Sequence, residues 1–471
     1  MSDLRDTITA VSTPIGEGGI GIVRLSGKKA LSIADKVFVS KDGRRPSVFK
    51  THTIRYGHVV GAKRSTNRKL SLKNTGVIGE VLLSVMRAPA TYTREDIIEI
   101  NCHGGIVALR RILEEVLKAG ARLAEPGEFT KRAFLNGRID LAQAEAVCDV
   151  IKAKTEASLK VAVGQLEGGF SVEIEKLREG LLELLRDVEV QIDFQEEDIS
   201  DIDKDVIIGG IEKSCNKINS ILETQGLGMI LKEGLMCVIC GKPNTGKSSL
   251  MNALLRRNRA IVTHIPGTTR DAIEESISIK GMPLRIVDTA GIVKTNNLVE
   301  KKGIEKTKFY LKKADMAIFM LDQSKPFDKK DANIMKELAL DKALVVANKS
   351  DLKQKLNLKA IEKKIATKIP SISVLKKKNL DAIEDALVKR IWGGKVMHPE
   401  AAFLTNIRHK NELNSTLKHL RPAARALKNG SSWEFIALDI REAIFHLGLI
   451  IGKSIDIDVL DRIFENFCIG K

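Results

Sequence analysis

The stretch that most constrains this chain is Gly241-Lys242-Pro243-Asn244-Thr245-Gly246-Lys247-Ser248-Ser249. It fits G-x-x-x-x-G-K-[ST], the phosphate-binding loop. The apolar run Leu235 to Cys240 reads as a buried strand before it, and Leu250 to Leu255 reads as a helix after it. The context carries the argument. Glycines let the backbone wrap a phosphate, while N–H groups and the helix N-terminus point at its oxygens. Asn244, Thr245, Gly246, Lys247, Ser248 and Ser249 form the cradle, with Lys247 reaching the outer phosphates and Ser248 placed for Mg²⁺.

Further signals follow in order. Gly267-Thr268-Thr269-Arg270-Asp271 is a glycine-hinged loop whose threonine can complete a Mg²⁺ shell. Ile286-Val287-Asp288-Thr289-Ala290-Gly291 is a strand ending in an acid and a glycine. Asp288 would hold Mg²⁺ through water, and the Gly291 N–H would meet the γ-phosphate, the contact that orders switch loops. A third apolar strand, Ala343 to Ala347, runs into Asn348-Lys349-Ser350-Asp351. The Asp351 carboxylate can accept from both N–H donors of guanine. Adenine presents an acceptor there and would leave a buried carboxylate unpaired, so GTP is expected over ATP. Where a water-orienting glutamine could follow the last glycine stands Ile292, which can neither orient nor deprotonate water. Hydrolysis then needs another acid, with Glu300 and Glu305 as candidates, and another positive charge, for which a monovalent cation is a candidate.

The 471-residue length suits about three domains. Residues 1–136 alternate β-type runs (Gly16 to Leu25, a glycine loop entering a strand, then Val77 to Met86 and Ile97 to Asn101) with turns, and Ile106 to Ala119 has helical spacing. That is an α/β or α+β pattern, in which His103 could serve as a ligand or a base, but standing alone before Gly104-Gly105 it reads more readily as a turn residue. From Ile139 long helices take over: Leu141, Ala144, Val147, Val150 and Ile151 share a period, as do Leu177, Leu181, Leu184, Leu185, Val188 and Ile192. An acidic break spans Gln195 to Asp205, Ile207 to Leu222 is helical again, and Gly226-Leu227-Gly228 offers a hinge. After Trp392-Gly393-Gly394-Lys395, read as an exit linker, helical spacing returns through Leu413, Leu417, Leu420, Ile436, Ile440, Ile444 and Leu447. The expected organisation is residues 1–136, a helical part 137–230, a nucleotide domain 231–395, and a second helical part 396–471 packing on the first.

Charge is uneven. Of 77 Lys+Arg and 60 Asp+Glu, residues 231–395 hold 34 and 18. An RNA-facing or phosphate-steering surface and a solvated lysine-rich surface both fit, and the scarcity of aromatics favours the second. No basic-then-apolar leader and no long apolar run are present, so a cytoplasmic protein without a membrane span is expected. Six cysteines are too sparse for a disulfide framework. Cys237 and Cys240 are three apart on a strand and should face opposite sides, as packing residues.

Together these residues resemble the tRNA-modification GTPase family MnmE, also called TrmE. The likeness is carried by Gly19 to Arg24, Tyr92 to Asp96, Cys102 to Gly105, Pro126 to Thr130, Arg132 to Gly137, Asp140 to Ala146 and Phe467-Cys468-Ile469-Gly470-Lys471. The resemblance implies an α/β P-loop GTPase domain inserted in an all-α domain, preceded by an α+β folate-binding-like dimerisation domain. It implies a homodimer that joins an MnmG-type FAD protein in a heterotetramer. Together they would add a carboxymethylaminomethyl or aminomethyl group to the wobble uridine of certain tRNAs, using a tetrahydrofolate derivative (5-formyl- or methylene-). By the same resemblance Arg24, Glu99, Arg138 and Lys471 contact folate; Asn244, Thr263, Thr268 and the Ile265 carbonyl hold K⁺; Ser248 and Thr269 hold Mg²⁺. Glu300 orients the water, and Lys349 and Ser373 join the guanine contacts. Cys468 is read either as a functional thiol or as a buried structural one. Two departures stand out: Ser373-Val374 replaces the usual Ser-Ala, and Asn379 stands near an expected glycine. Rival readings are an Era- or Der-like ribosome-assembly GTPase, which would carry an appended RNA-binding module or a second phosphate loop, and a dimeric switch acting through partner binding alone.

Overall fold

The computed structural model describes residues 6–61, 76–193, 203–258, 274–288, 309–392 and 403–471. The chain divides into two compact units, Met1–Cys148 with Phe445–Lys471, and Asp149–Ile444.

The first unit is built on a seven-stranded sheet in the order β3-β4-β5-β6-β2-β1-β7. Its elements are β1 (Ile8–Val11), β2 (Gly21–Ser26), α1 (Ala30–Val37), β3 (Phe38–Ser40), β4 (Thr53–Val60), β5 (Val77–Met86), β6 (Ile97–Cys102), α2 (Ile106–Lys118), β7 (Arg122–Leu123) and α3 (Glu128–Leu135). Pairing is antiparallel except between β1 and β7. Strand alternation sorts the faces. Val23, Leu25, Val81, Leu83, Ile98 and Ile100 point to a core shared with Ile33 and Val37 of α1 and Ile112 and Val116 of α2. Each such side chain contributes about 1.5–3 kcal/mol by burial. Arg24 and Glu99, at the intervening positions, are register partners on the opposite face. His103 is exposed in the turn before α2, as expected. The strands forecast at Val77 to Met86 and Ile97 to Asn101 form within a residue of those limits.

α4 (Leu141–Lys152) begins in this unit, and α15 (Ile457–Phe464) returns to it from the other end of the sequence. Leu460, Phe464 and Phe467 pack with Ala133, Leu141, Ala144 and Cys148, and Lys131 pairs with Asp461. One detail differs from the expected period: Ile151 is exposed. It lies ten residues from Leu141, about 80° off that residue's direction at 100° per residue, near the helix end.

In the second unit, α5 (Glu156–Leu166), α6 (Gly169–Asp193), α7 (Lys204–Glu223) and α8 (Gln225–Glu233) precede β8 (Leu235–Gly241). Then come α9 (Lys247–Asn258), β9 (Glu274–Ile279), β10 (Met282–Asp288), β11 (Met316–Asp322), α10 (Lys329–Lys336), β12 (Ala343–Asn348), α11 (Leu358–Ile365) and α12 (Leu380–Trp392). α13 (Ile407–Lys428) and most of α14 (Trp433–Ile451) close the unit. The five-stranded sheet runs β12-β11-β8-β10-β9, parallel except for β9. Both faces are covered, as a parallel sheet requires. Cys237 sits in the core on one face and Cys240 in the core on the other. Burial pushes each thiol up to about 12, so the pair is packing, as the strand period predicted.

Helices from both sides of the nucleotide domain meet. Gln165 Nε2 donates to the Phe403 carbonyl at 2.8 Å, the Leu404 N–H donates to Thr224 Oγ1 at 3.0 Å, and Lys428 pairs with Glu212 at 2.8 Å. The hinge expected at Gly226-Leu227-Gly228 is instead helical, inside α8. Gly228 is needed there for close approach: a Cβ would stand 2.4 Å from the Leu404 carbonyl oxygen. The chain breaks later, at Gly234, where φ is +77°.

Candidate functional site

The phosphate loop lies between β8 and α9, at the C-terminal edge of the sheet. Gly246 has φ +99°, and a Cβ on it would come 2.4 Å from Asn348 Nδ2, so no other residue fits without displacing the guanine-side loop. Asn244 adopts φ +64°. Lys247 is buried, and its Nζ donates to the carbonyls of Gly241 at 3.0 Å and Lys242 at 2.8 Å. Thr245 Oγ1 donates to the Lys242 carbonyl at 2.9 Å. These bonds hold an arch whose N–H groups suit a phosphate, with Ser248 and Ser249 in the first turn of α9. β10 pairs with β8 so that Asp288 lies opposite Ile239, which brings the acid's backbone to the same edge.

The base side is locked to the phosphate side by Asn348. Its Nδ2 donates to the Thr245 carbonyl at 2.8 Å, and its Oδ1 accepts from the Val374 N–H at 3.1 Å. Val374 thus supplies a backbone contact that its side chain does not alter. Ser373 is buried, and its Oγ donates to Asp351 Oδ1 at 2.5 Å. That bond, above all, holds the Asp351 carboxyl below its usual range. The residue at the expected glycine, Asn379, has φ +56°. Asparagine tolerates the left-handed region better than most residues, and Asn379 Nδ2 also donates to the Ser371 carbonyl at 3.1 Å.

Sequence reasoning missed three ion pairs, made by two lysines. Lys349 Nζ lies 2.7 Å from Asp322 Oδ2. Burial pushes the Asp322 carboxyl up, but the bonds from Lys349 and Ser324 outweigh it and its pKa is lowered. Lys242 reaches Asp331 at 2.6 Å and Asp328 at 2.9 Å. Burial of Lys242 works against its charge, yet the two acids raise its pKa. The available signals were an apolar strand ending in Asp322 and the Asp-x-x-Asp capping box at Asp328 and Asp331.

Thr263, Ile265, Thr268, Thr269, Thr289, Ala290, Gly291, Glu300 and Glu305 lie outside the described residues, as do the linker at 393–395 and most of the acidic break.

In the first unit, Arg24 donates through Nε to Glu99 Oε1 at 2.8 Å, and its Nη2 lies 2.8 Å from the same oxygen. Its Nη1 donates to the Gly470 carbonyl at 3.4 Å, an oxygen that also accepts from Ser12 Oγ at 3.2 Å. Arg138 lies 4.7 Å over the Tyr92 ring and Arg24 lies 5.7 Å over Phe129. Burial raises the Tyr92 hydroxyl, opposed by Thr130 and by the charges of Arg138 and Arg24. Arg24 thus joins Glu99 to the Gly470 carbonyl, and Arg24 and Arg138 both act on Tyr92. Cys468 is exposed, which removes the reading of it as a buried structural thiol; the other five cysteines are buried, and none of the six is in a disulfide.

A family model described as "MnmE helical domain" matches residues 141–468, and one described as "GTP-binding protein TrmE N-terminus" matches residues 7–138. The chain is 48% identical over 469 residues to "tRNA modification GTPase MnmE" of Alkaliphilus oremlandii, covering 99% of this chain and 100% of that one. It is 45% identical to the protein of the same name from Clostridioides difficile, again over 99% of this chain and 100% of that one. Among solved structures, a tyrosine-to-alanine variant of Aquifex aeolicus Era bound to GDP.AlF4- is 28% identical with a TM-score of 0.28, covering 39% of this chain and 66% of that one. Matched by two family models along almost its whole length and closely similar to full-length relatives, the chain belongs to the MnmE family of tRNA modification GTPases.

Proposed function

We propose that this protein is a GTP-hydrolysing enzyme of tRNA wobble-uridine modification. The observation that carries the GTP half is the continuous bonding from the phosphate loop through Asn348 to Val374, beside an Asp351 carboxylate oriented by Ser373. The tRNA half rests on full-length similarity to proteins named tRNA modification GTPase. That similarity over 99% of the chain also displaces the Era- or Der-like alternative.

The residues present suit the groups the family reading requires. Asp351 accepts guanine's two N–H donors, and Asn348 keeps the base pocket at a fixed distance from the phosphate arch. The backbone of 244–249 and the ammonium of Lys247 face the phosphates, balancing the charge that develops as the γ-phosphate leaves. Ser248, Thr269 and Asp288 are hard oxygen donors of the kind Mg²⁺ selects. Asn244, Thr263, Thr268 and the Ile265 carbonyl are neutral oxygens that suit K⁺. When bound, these ions supply positive charge to the phosphates. Glu300 orients the attacking water in place of the missing glutamine. Arg24, Glu99, Arg138 and Lys471 offer cation and carboxylate partners for a tetrahydrofolate derivative, which supplies a one-carbon unit. A homodimer working with an MnmG-type FAD protein in the cytoplasm completes this reading. Its domains are 1–136, 137–230, 231–395 and 396–471.

Wobble-nucleoside mass spectrometry of a deletion strain tests the function: normal modification would sink it. GTP turnover in K⁺ against Na⁺ tests the cation, and equal rates would remove it. Glu300→Ala should keep GTP affinity and lose turnover.

A further inference from the structure

We propose that the lysine-rich side of the GTPase unit, residues 353–378, is a docking surface for the phosphodiester backbone of tRNA. This rests on the tRNA-modification reading above. The segment holds nine lysines (353, 355, 359, 363, 364, 368, 376, 377 and 378) and one acid, Glu362, with no arginine and no aromatic residue. All nine lysines are exposed. Glu362 is turned to the backbone, accepting from the Ile369 N–H at 2.8 Å. None of the nine lysines forms an ion pair among the described residues. Some exposed lysines elsewhere in the unit find acids, such as Lys217 with Glu173, Lys280 with Asp385 and Lys428 with Glu212, and others such as Lys336 and Lys389 do not among the described residues. What sets this stretch apart is nine of them together with a single acid. A net charge of +8 in this stretch is a large share of the chain's +17, and it repels itself unless a polyanion meets it.

The segment is firmly built. Leu356, Ile361 and Ile369 are buried in the core beneath β11 and β12. The Ala347 N–H donates to the Pro370 carbonyl and the Ile372 N–H to the Ala347 carbonyl, so the chain continues the sheet past the β12 edge. Tight turns at Ala366 and Lys377, with φ of +51° and +53°, return the lysine-bearing loops to that edge. The apolar face of α11 is turned inward and Lys359, Lys363 and Lys364 outward. Lysine is a point charge suited to phosphate oxygens; base reading would use arginine, asparagine or stacked aromatics. An acidic protein partner would be met by aromatic or arginine anchors, and a membrane by exposed apolar residues beside the lysines of the helix. Leu375 is exposed beside Lys376 to Lys378, but it is a single apolar residue and the lysines of α11 have neither kind of neighbour, so RNA backbone fits best, contacted without regard to sequence.

The test is tRNA binding by the full chain, read by fluorescence anisotropy across salt concentrations, for wild type and Lys359→Gln/Lys363→Gln/Lys364→Gln. These three lysines touch no nucleotide-site residue, so basal GTP turnover and melting temperature should not move. The slope of log K against log salt should become shallower by about 2 to 3, with several-fold weaker binding to all tRNAs alike. The triple arginine variant should restore both. An unchanged slope and affinity would overturn the proposal, and so would tighter retention by anionic lipid vesicles or polyglutamate than by tRNA. Normal wobble modification in the deletion strain would overturn the underlying function instead, so the two failures are told apart.

Discussion

At the scale of single residues, the guanine pocket depends on a side chain that never needs to touch the base. Ser373 is fully buried and donates to Asp351. Without it the carboxylate loses its orientation and the bond that does most to lower its pKa. Hydrogen bonds to an ionised acceptor are stronger than those between neutral groups. Ser373→Ala should therefore raise the GTP dissociation constant about tenfold, measured by titration with a fluorescent guanine nucleotide. An unchanged constant would show that Asp351 is positioned by something else. Asp322 lends itself to a pH test. Its folded pKa lies below the ordinary value of 3.8, so its stabilising contribution is present above that value and is lost as pH falls through the folded one. Asp322→Asn should be less stable than wild type at pH 7, and the gap should close in melts run progressively further below about pH 4.

At the scale of elements, Gly228 shows packing overriding propensity. In a helix interior alanine is favoured over glycine by about 1 kcal/mol. Here a Cβ would press on a backbone carbonyl, Leu404 O, at 2.4 Å, and overpacking of that kind costs about 1–3 kcal/mol. Gly228→Ala should thus lower the denaturation midpoint, and a raised midpoint would contradict the contact. The helices themselves were legible because buried positions recur at 3.6-residue spacing: Leu177, Leu181, Leu185 and Val188 are buried in α6. The same glycine pair, Gly226 and Gly228, suggested a hinge because a sequence does not say what packs against a glycine. The strand Leu235 to Cys240 was legible for its apolar continuity, and the opposite facing of Cys237 and Cys240 follows from the two-residue period alone.

At the scale of the whole molecule, the proposed folate residues and the proposed GTP residues fall in two different compact units. Arg24 and Glu99 lie in one, Lys247 and Asp351 in the other. Arg24→Ala removes the partner of Glu99 and a donor to the Gly470 carbonyl. It should weaken 5-formyl-tetrahydrofolate binding about tenfold or more, from a loss of about 1.5–3 kcal/mol, while leaving unstimulated GTP turnover at its wild-type rate. Isothermal titration and a phosphate-release assay read the two sides independently. A matching fall in turnover would mean the units are coupled even without partners.

By itself the sequence determined the nucleotide, because phosphate loop, Asn348 and Asp351 are a local code in which each residue type is demanded by the atom it meets. It also determined the alternating faces of the strands and the periods of the helices, which are set by neighbours within a few residues. Tertiary structure alone decided what distance along the chain conceals. Examples are the bonds between Asn348 and Thr245, 103 residues apart, and between Ser12 and Gly470, 458 apart. It also decided the pairing of Lys242 with Asp328 and Asp331, and the exposure of Cys468. Such contacts form only when a core brings remote segments together, and no local pattern of residues encodes which partner will arrive.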